Sequence, residues 1–477
     1  MNIAVYDFRH GRGWTRADFD TLVAAAAERL GEQLPEPCGA RVAGLSRNGI
    51  ELLALMLACF RVGAVFVPLN WRLTSRELEQ LLADCQASLV YTQEEFRPHL
   101  GHVTVPCPSL DAGFGAAPPA AGVAPPGPDG QLAMLLYTSG TSGRPKGVML
   151  TLGNLRVTSE NFRCVADVRP ESGLLCDAPM FHTIGLVALC HTSVTVGARL
   201  YLSPAFTAVD TIARIADTRF GITHYFSVPQ VMQMLLQAPE FAAEKFRGLR
   251  ALFTGGAPLP HDLLRAWVGH GVTLINGYGS SEAGTTMHMP LDHPAELLGK
   301  PGSVGLPVPH IEVSLRDLDG KPVARGGVGE IWLRGPTVTS GYWGLEAESR
   351  QAFTDGWFRT GDAARVDEDG YYYIVDRWKD MYISGGENVY PAEVEHELAR
   401  IDGVAEVAVV GQPDPTWGEI GEAFLVLKAD AAVTAEQVIA HARANLAGYK
   451  VPKRVTFADD LPRTGSGKIR KSELRRR

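Results

Sequence analysis

Hydrophobic and polar positions change their period several times along the chain, and each change marks an element. From Arg16 to Leu30 an alanine-rich stretch carries apolar residues at helical spacing, which predicts an amphipathic helix. Arg41 to Leu69 reads as strand, helix, strand, and the apolar run Leu132 to Leu136 as a buried strand. Two further strands, Ala251-Leu252-Phe253 and Val272-Thr273-Leu274-Ile275, each run into glycines and are expected to end in glycine-rich turns. Ligands of open α/β sheets collect at such strand ends.

From Ile311 the pattern shortens to strands with hairpin signals at Asp319-Gly320 and Asp369-Gly370. Near Asp380 it starts again: a strand, a helix from Pro391 to Ile401, strands Val404 to Val410 and Ala423 to Leu427, and a helix from Ala435 to Asn445. Ala112 to Gly130, rich in Ala, Pro and Gly, reads as a connector without chemistry. The expected fold is therefore α/β: a large N-terminal domain of α/β subdomains plus a β-rich subdomain, then a small mobile α+β C-terminal domain. With 477 residues the chain is too long for one core.

Composition narrows the function. A net charge of −8, with basic residues dispersed, excludes nucleic acid as the main partner. Seven cysteines without CxxC or Cys/His spacing read as reduced thiols of a cytoplasmic protein. The apolar segment Leu52 to Phe60 is cut by Arg61, so no membrane span is expected.

The most chemical stretch is Tyr137-Thr138-Ser139-Gly140-Thr141-Ser142-Gly143-Arg144-Pro145-Lys146-Gly147-Val148. Glycines let backbone N–H groups approach an anion, while the hydroxyls and Lys146 add donors and positive charge. Pro145 and Gly147 stand where a Walker A loop needs glycine and Ser/Thr, so a kinase-type loop is excluded. Asn276-Gly277-Tyr278-Gly279-Ser280-Ser281-Glu282 likewise fails the dinucleotide pattern, because Glu282 occupies the third glycine position. A carboxylate beside a phosphate loop calls for a cation between them, so Glu282 reads as an Mg²⁺ ligand.

These words resemble the signatures of the adenylate-forming superfamily, in particular its acyl-CoA synthetases. Thr254-Gly255-Gly256-Ala257-Pro258, Pro179-Met180-Phe181-His182-Thr183, Arg359-Thr360-Gly361-Asp362, Asp376-Arg377-Trp378-Lys379-Asp380, Ser384-Gly385-Gly386-Glu387 and Arg463-Thr464-Gly465-Ser466-Gly467-Lys468 follow in the superfamily's order. The resemblance implies two domains, residues 1–378 for nucleotide binding and 379–477 for a mobile domain. It implies ATP contacts from Thr138, Ser139, Gly140, Thr141, Ser142, Gly143, Lys146, Gly255, Gly256, Ala257, Asn276, Gly277, Tyr278, Gly279, Ser281, Glu282, Asp362, Arg377 and Lys468. Tyr278 would stack on adenine and Asp362 with Arg377 would hold the ribose.

By the same resemblance Lys468, Glu282, Thr138 and His182 are the catalytic set, Lys379 is the hinge, and Gly385, Gly386 and Glu387 face pantetheine. His182, Ser227, Gly256, Gly279 and Met287 would bound the acyl pocket. The implied reaction joins a carboxylic acid to coenzyme A in two steps, using ATP and Mg²⁺ and passing through acyl-AMP. The presumed pocket segments contain no lysine or arginine, which favours a fatty or aryl monocarboxylic acid. A carrier protein as acceptor and a non-catalytic nucleotide-binding protein are the alternatives. A monomer or homodimer is expected.

Overall fold

The computed structural model describes residues 3–115, 127–138, 145–292, 295–384, 387–463 and 469–476. They form two compact units, one drawn from residues 3–138, 145–313 and 333–358 and the other from residues 314–332 and 359–476.

The strands of the first unit are β1 (Ile3–Asp7), β2 (Arg12–Thr15), β3 (Arg41–Leu45), β4 (Val65–Leu69), β5 (Leu89–Thr92), β6 (Leu132–Thr138), β7 (Lys146–Thr151), β8 (Gly173–Cys176), β9 (Arg199–Leu202), β10 (His224–Ser227), β11 (Ala251–Thr254), β12 (Leu274–Ser280), β13 (Gly284–His288) and β14 (Ser303–Pro307). One sheet runs β5-β3-β4-β6-β7, parallel except for the final pair. Along the other the order is β14-β13-β12-β11-β10-β8-β9-β1-β2. Its centre from β12 to β1 is parallel, and antiparallel partners close both edges. Central strands such as β8 and β11 are buried along their whole length, as parallel strands covered on both faces must be.

The amphipathic helix expected from Arg16 spans Arg16–Gln33. Its start follows from Thr15, whose hydroxyl accepts the Asp18 N–H while the Asp18 carboxylate reaches back, a reciprocal cap worth about 1 kcal/mol. The β1–β2 hairpin ahead of it has no counterpart in the periodicity, because four or five residues are too few to display alternation.

One expectation is corrected. Asn276 to Gly279 does not turn; β12 continues through Ser280 and pairs antiparallel with β13, and the reversal falls at Ser281–Ala283. Glycine here serves close approach rather than bending. A Cβ on Gly277 would lie 2.9 Å from the Met287 carbonyl oxygen, and one on Gly279 only 2.3 Å from that of Gly284.

In the second unit β18 (Trp357–Val366) and β19 (Tyr372–Arg377) form the hairpin whose turn was expected at Asp369-Gly370; β15 (Glu312–Arg316), β16 (Val328–Arg334) and a further short strand of the first unit, β17 (Phe353–Thr354), precede them in the chain. The C-terminal part has β20 (Tyr382–Ser384), β21 (Glu387–Val389), β22 (Val404–Asp414), β23 (Gly418–Leu427) and β24 (Arg454–Phe457). Their order is β21-β20-β23-β22, with β24 parallel to β23. The helices Pro391–Leu398 and Ala435–Asn445 pack on this sheet through Val394, Leu398, Val438 and Ala442, all fully buried. Strands β20 and β21 pair antiparallel, with Tyr382 opposite Val389 and Ser384 opposite Glu387.

Candidate functional site

In the large unit the site residues sit where strands run out. Thr138 ends β6 opposite Lys146, which begins β7, so the pairing closes the base of the phosphate-loop candidate. Ser139, Gly140, Thr141, Ser142 and Gly143 lie outside the described residues. Lys146 and Glu282, far apart in sequence, meet through a third residue. The Lys146 ammonium stands 4.8 Å from the Tyr342 ring centre, and the Tyr342 hydroxyl donates to Glu282 Oε1 at 3.2 Å.

Tyr342 was not legible from the sequence, since nothing in Thr339-Ser340-Gly341-Tyr342-Trp343 shows a period or a loop signature. Its position comes from backbone pairing. Met149 N–H donates to the Gly341 carbonyl and Trp343 N–H to that of Gly147, while Thr339 N–H donates to the Glu282 carbonyl at 2.7 Å. A charged ammonium on an aromatic face and a hydroxyl bond to the carboxylate fix both groups without pairing them to each other. Each charge keeps the capacity to meet a ligand.

Ser280 Oγ is buried and has no hydrogen-bond partner among the described residues. The Glu282 carboxylate is a hard oxygen donor, of the type that suits magnesium rather than a soft metal. The cluster of Asp7, His10 and Glu51 elsewhere in this unit has a structural explanation. Asp7 is spent on the N–H groups of Arg9 and Ile50, and Glu51 on His10.

His182 is exposed at the end of a tight turn, and the neighbouring Thr183 hydroxyl lies 3.5 Å from Ser281 Oγ. Buried Asn48 shapes that turn: its amide donates to the Ala178 carbonyl, and its oxygen accepts the Met180 N–H. Beneath the turn, burial pushes the Asp177 carboxyl up to about 6 although Thr211 and Tyr225 donate to it. Ile184–His191 then winds as a π-helix, a widening frequent beside functional sites. His191 is half-buried there with Nδ1 2.7 Å from Ser159 Oγ, and desolvation lowers its pKa to about 4.

Gly255 and Gly256 differ in kind. A Cβ on Gly255 would strike the Gly277 carbonyl at 2.8 Å, whereas one on Gly256 would meet only Ile184 and Val228 at 3.9 Å. Gly256 has φ +78° and, like Ala257, is exposed. Asn276 is buried with its amide donating to Ser303, and Ser227 is buried at the end of β10 with its hydroxyl unpartnered among the described residues. Met287 faces Tyr278 across the β12–β13 hairpin and is fully buried.

In the small unit Asp362 and Arg377 are cross-strand partners on β18 and β19, with Nε 2.9 Å from Oδ1. The neighbouring residues prepare the pair. Gly361 takes φ +70° and donates its N–H to Glu330, Arg359 pairs with the same buried Glu330, and Thr360 Oγ1 accepts the Asp362 N–H. Asp376 accepts the Ala392 N–H in the first turn of Pro391–Leu398, tying that helix to the residue before Arg377. Lys379 lies in the one-turn segment Trp378–Asp380 and Glu387 opens β21. Gly385, Gly386 and Lys468 lie outside the described residues.

The chain matches the family described as AMP-binding enzyme over residues 2–343, and that described as AMP-binding enzyme C-terminal domain over residues 393–468. It belongs to the AMP-binding enzyme family. Feruloyl-CoA synthase of an Amycolatopsis species is 41% identical over 98% of this chain and 95% of that protein. Indoleacetate–CoA ligase of Aromatoleum aromaticum is 37% identical over 95% and 92%. Among solved structures, o-succinylbenzoate CoA synthetase (MenE) from Bacillus subtilis in complex with its acyl-adenylate intermediate has a TM-score of 0.89 and 30% identity, covering 99% and 95%. As a member of the family the protein is an enzyme, an AMP-forming acid–thiol ligase, with the α/β architecture expected from its sequence. No helix among the described residues is long and apolar enough to cross a membrane.

Proposed function

We propose that this AMP-binding enzyme activates a hydrophobic monocarboxylic acid, an aryl acid before a fatty acid, as acyl-AMP and passes the acyl group to coenzyme A. The observation that carries the reading is the meeting of Lys146 and Glu282 on Tyr342, which offers a cation for phosphate and a carboxylate for Mg²⁺ side by side. Support for an aryl acid comes from the two relatives named for feruloyl-CoA and indoleacetate.

In the first step the acid's carboxylate attacks the α-phosphorus of ATP and pyrophosphate leaves. Lys146 and the loop donors from Thr138 to Gly143 hold the phosphates, Tyr278 covers adenine, and Asp362 with Arg377 accepts and orients the ribose hydroxyls. When bound, Mg²⁺ supplies charge neutralisation on the phosphates, and Glu282 would hold it. Lys468 stabilises the charge that builds on the α-phosphate. His182 lies beside the acyl carboxylate, and Ser227, Gly256, Gly279 and Met287 border the acyl group.

In the second step the small domain, residues 379–477, turns about Lys379 and brings Gly385, Gly386 and Glu387 to the pantetheine arm. The thiol attacks the acyl carbonyl, its proton is lost, and AMP departs. We place the enzyme in the cytoplasm, on its seven free thiols, as a monomer or homodimer.

The test is a panel of short fatty acids, benzoates, cinnamates, long-chain acids, malonate and succinate, read as AMP release with coenzyme A present. Aryl acids should give the highest kcat/KM. A dicarboxylate at the top would overturn the acid assignment, and AMP release requiring a phosphopantetheinyl carrier protein would overturn the acceptor.

A further inference from the structure

Asn48 stands in the bend between β3 and the helix Ile50–Val62, and it is buried. The backbone on both sides of it is held. The Arg47 N–H donates to buried Gln93 at 2.9 Å, and the Ile50 N–H to buried Asp7 at 2.9 Å. From this fixed base the Asn48 side chain crosses to the other sheet of the large unit, where β8 runs into the turn before His182. Its amide donates to the Ala178 carbonyl at 2.9 Å and accepts the Met180 N–H at 2.8 Å. Only one orientation of the amide serves both bonds, since a flipped group would set oxygen against oxygen and N–H against N–H.

The two bonds fall on the peptide planes either side of Pro179. The Ala178 carbonyl belongs to the plane before the Pro179 Cα, and the Met180 N–H to the plane after it. The proline ring fixes φ, so ψ of Pro179 is the one soft torsion between those planes, and an amide bonded to both holds it. The second plane also carries the Pro179 carbonyl, which accepts the His182 N–H at 3.1 Å. A single rigid peptide unit therefore connects Asn48 to the backbone of His182. The π-helix leaves that unit little slack, because a Cβ on Gly185 would lie 2.4 Å from the Pro179 carbonyl oxygen and 2.6 Å from that of Ala178.

We propose that Asn48 is a positioning residue for the carboxylic acid: it sets the Pro179–Met180 peptide, and through it the His182 backbone, so that the imidazole meets the acid's carboxylate. The inference rests on the reading above that places His182 beside that carboxylate. ATP, held in that reading by residues of other strands, does not depend on Asn48.

The experiment uses the full chain with Asn48→Asp, Asn48→Ala, Gly185→Ala and His182→Ala. Asn48→Asp keeps the size and the acceptor but turns a second oxygen on the Ala178 carbonyl, so it separates the hydrogen bond from the packing. In ferulate-dependent pyrophosphate exchange each Asn48 variant should raise KM for ferulate about tenfold, the scale of one buried hydrogen bond, with KM for ATP within about twofold of wild type. Gly185→Ala, which pushes on the same peptide unit, should shift KM for ferulate in the same sense. In a His182→Ala background Asn48→Asp should add less than about twofold, because both act at one place. Loss of folded enzyme lowers kcat alone. A fall in thermal midpoint with both KM values unchanged, an equal rise in the two, or full additivity with His182→Ala would overturn the proposal.

Hydrogen exchange at the Met180 and His182 amides, followed by mass spectrometry, reads the turn without turnover. It should quicken about tenfold in Asn48→Asp, and unchanged exchange would overturn the hold on the turn. If the wild type exchanged no pyrophosphate with ferulate, the acid assignment would fall while the amide exchange still decided whether Asn48 holds the turn.

Discussion

The strand ends of the large unit and the hairpin-to-hinge stretch of the small unit present similar glycine and charge patterns in sequence, yet they are built on opposite principles. At β11, β12 and β13 the backbones crowd so closely that Gly255, Gly277 and Gly279 are required by neighbouring carbonyl oxygens, and elsewhere in the unit Asp177 is buried. From β18 to Asp380 the defining contacts are partly exposed ion pairs, Arg377 with Asp362 and Arg475 with Asp380. Burial makes the first region costly to alter, whereas solvent screening keeps each contact of the second weak. Such a division suits the proposed cycle, in which the large unit holds the ligand while residues 379–477 turn.

The largest expected effect breaks this comparison at the chemistry. Lys468→Ala should lower acyl-AMP formation at least about a hundredfold, roughly 3 kcal/mol, while thioester formation from pre-made acyl-AMP survives. Pyrophosphate exchange and thioester release on one folded preparation check it, and equal loss of both steps would sink the division of labour.

Next comes pH. His191, held to about 4, stays neutral in the fold while the unfolded chain protonates it below its ordinary value, so its contribution is complete above about 6.5 and is lost as pH falls toward 4. Asp177, raised to about 6, acts in the opposite sense: stability falls as pH rises from about 4 to 6, because the unfolded carboxyl ionises first. Each amounts to about 3 kcal/mol, so the two slopes offset each other in the wild type. Urea unfolding from pH 4 to 6.5 should be nearly flat with respect to this pair. His191→Gln should leave stability falling with rising pH, and Asp177→Asn should leave it rising; parallel curves for all three proteins would contradict the assignment.

A smaller effect separates two kinds of glycine. Gly279→Ala should cost about 2 kcal/mol or more, since its Cβ meets backbone that cannot retreat. Gly256→Ala should cost about 1 kcal/mol, the strain of a left-handed residue, but should narrow the acyl pocket and raise KM for the larger acids. Unfolding midpoints paired with KM values distinguish them.

The smallest effect belongs to the exposed pair. Arg377→Lys should raise KM for ATP about fivefold with the unfolding midpoint nearly unchanged, because lysine keeps the charge but lacks the planar fork. A large fall in stability would place Arg377 among the structural residues.

The words read as chemical stand out in the sequence because each depends on local backbone or on residue types that few other roles require. Arg359 to Asp362 is such a case: a left-handed glycine, a hydroxyl that accepts the Asp362 N–H and a carboxylate facing Arg377 all fall within four residues. Asn276 to Gly279 was not legible as a strand, since glycine signals turning and close approach alike. The hairpin of β1 and β2 was missed because short strands show no period.

By itself the sequence determined the alternation of helix and strand, the division into a large and a small part, and the identity of the groups that carry charge, all properties of neighbouring residues or of composition. Only the tertiary structure decided that Tyr342 joins Lys146 to Glu282, that Asn48 shapes the turn before His182, and that Arg475 grips the carbonyls of Lys379 and Asp380. Such contacts join residues 60 to 196 positions apart and depend on which strands pair and where the last helix docks. That is settled by burial of the whole apolar surface, to which no single local pattern corresponds.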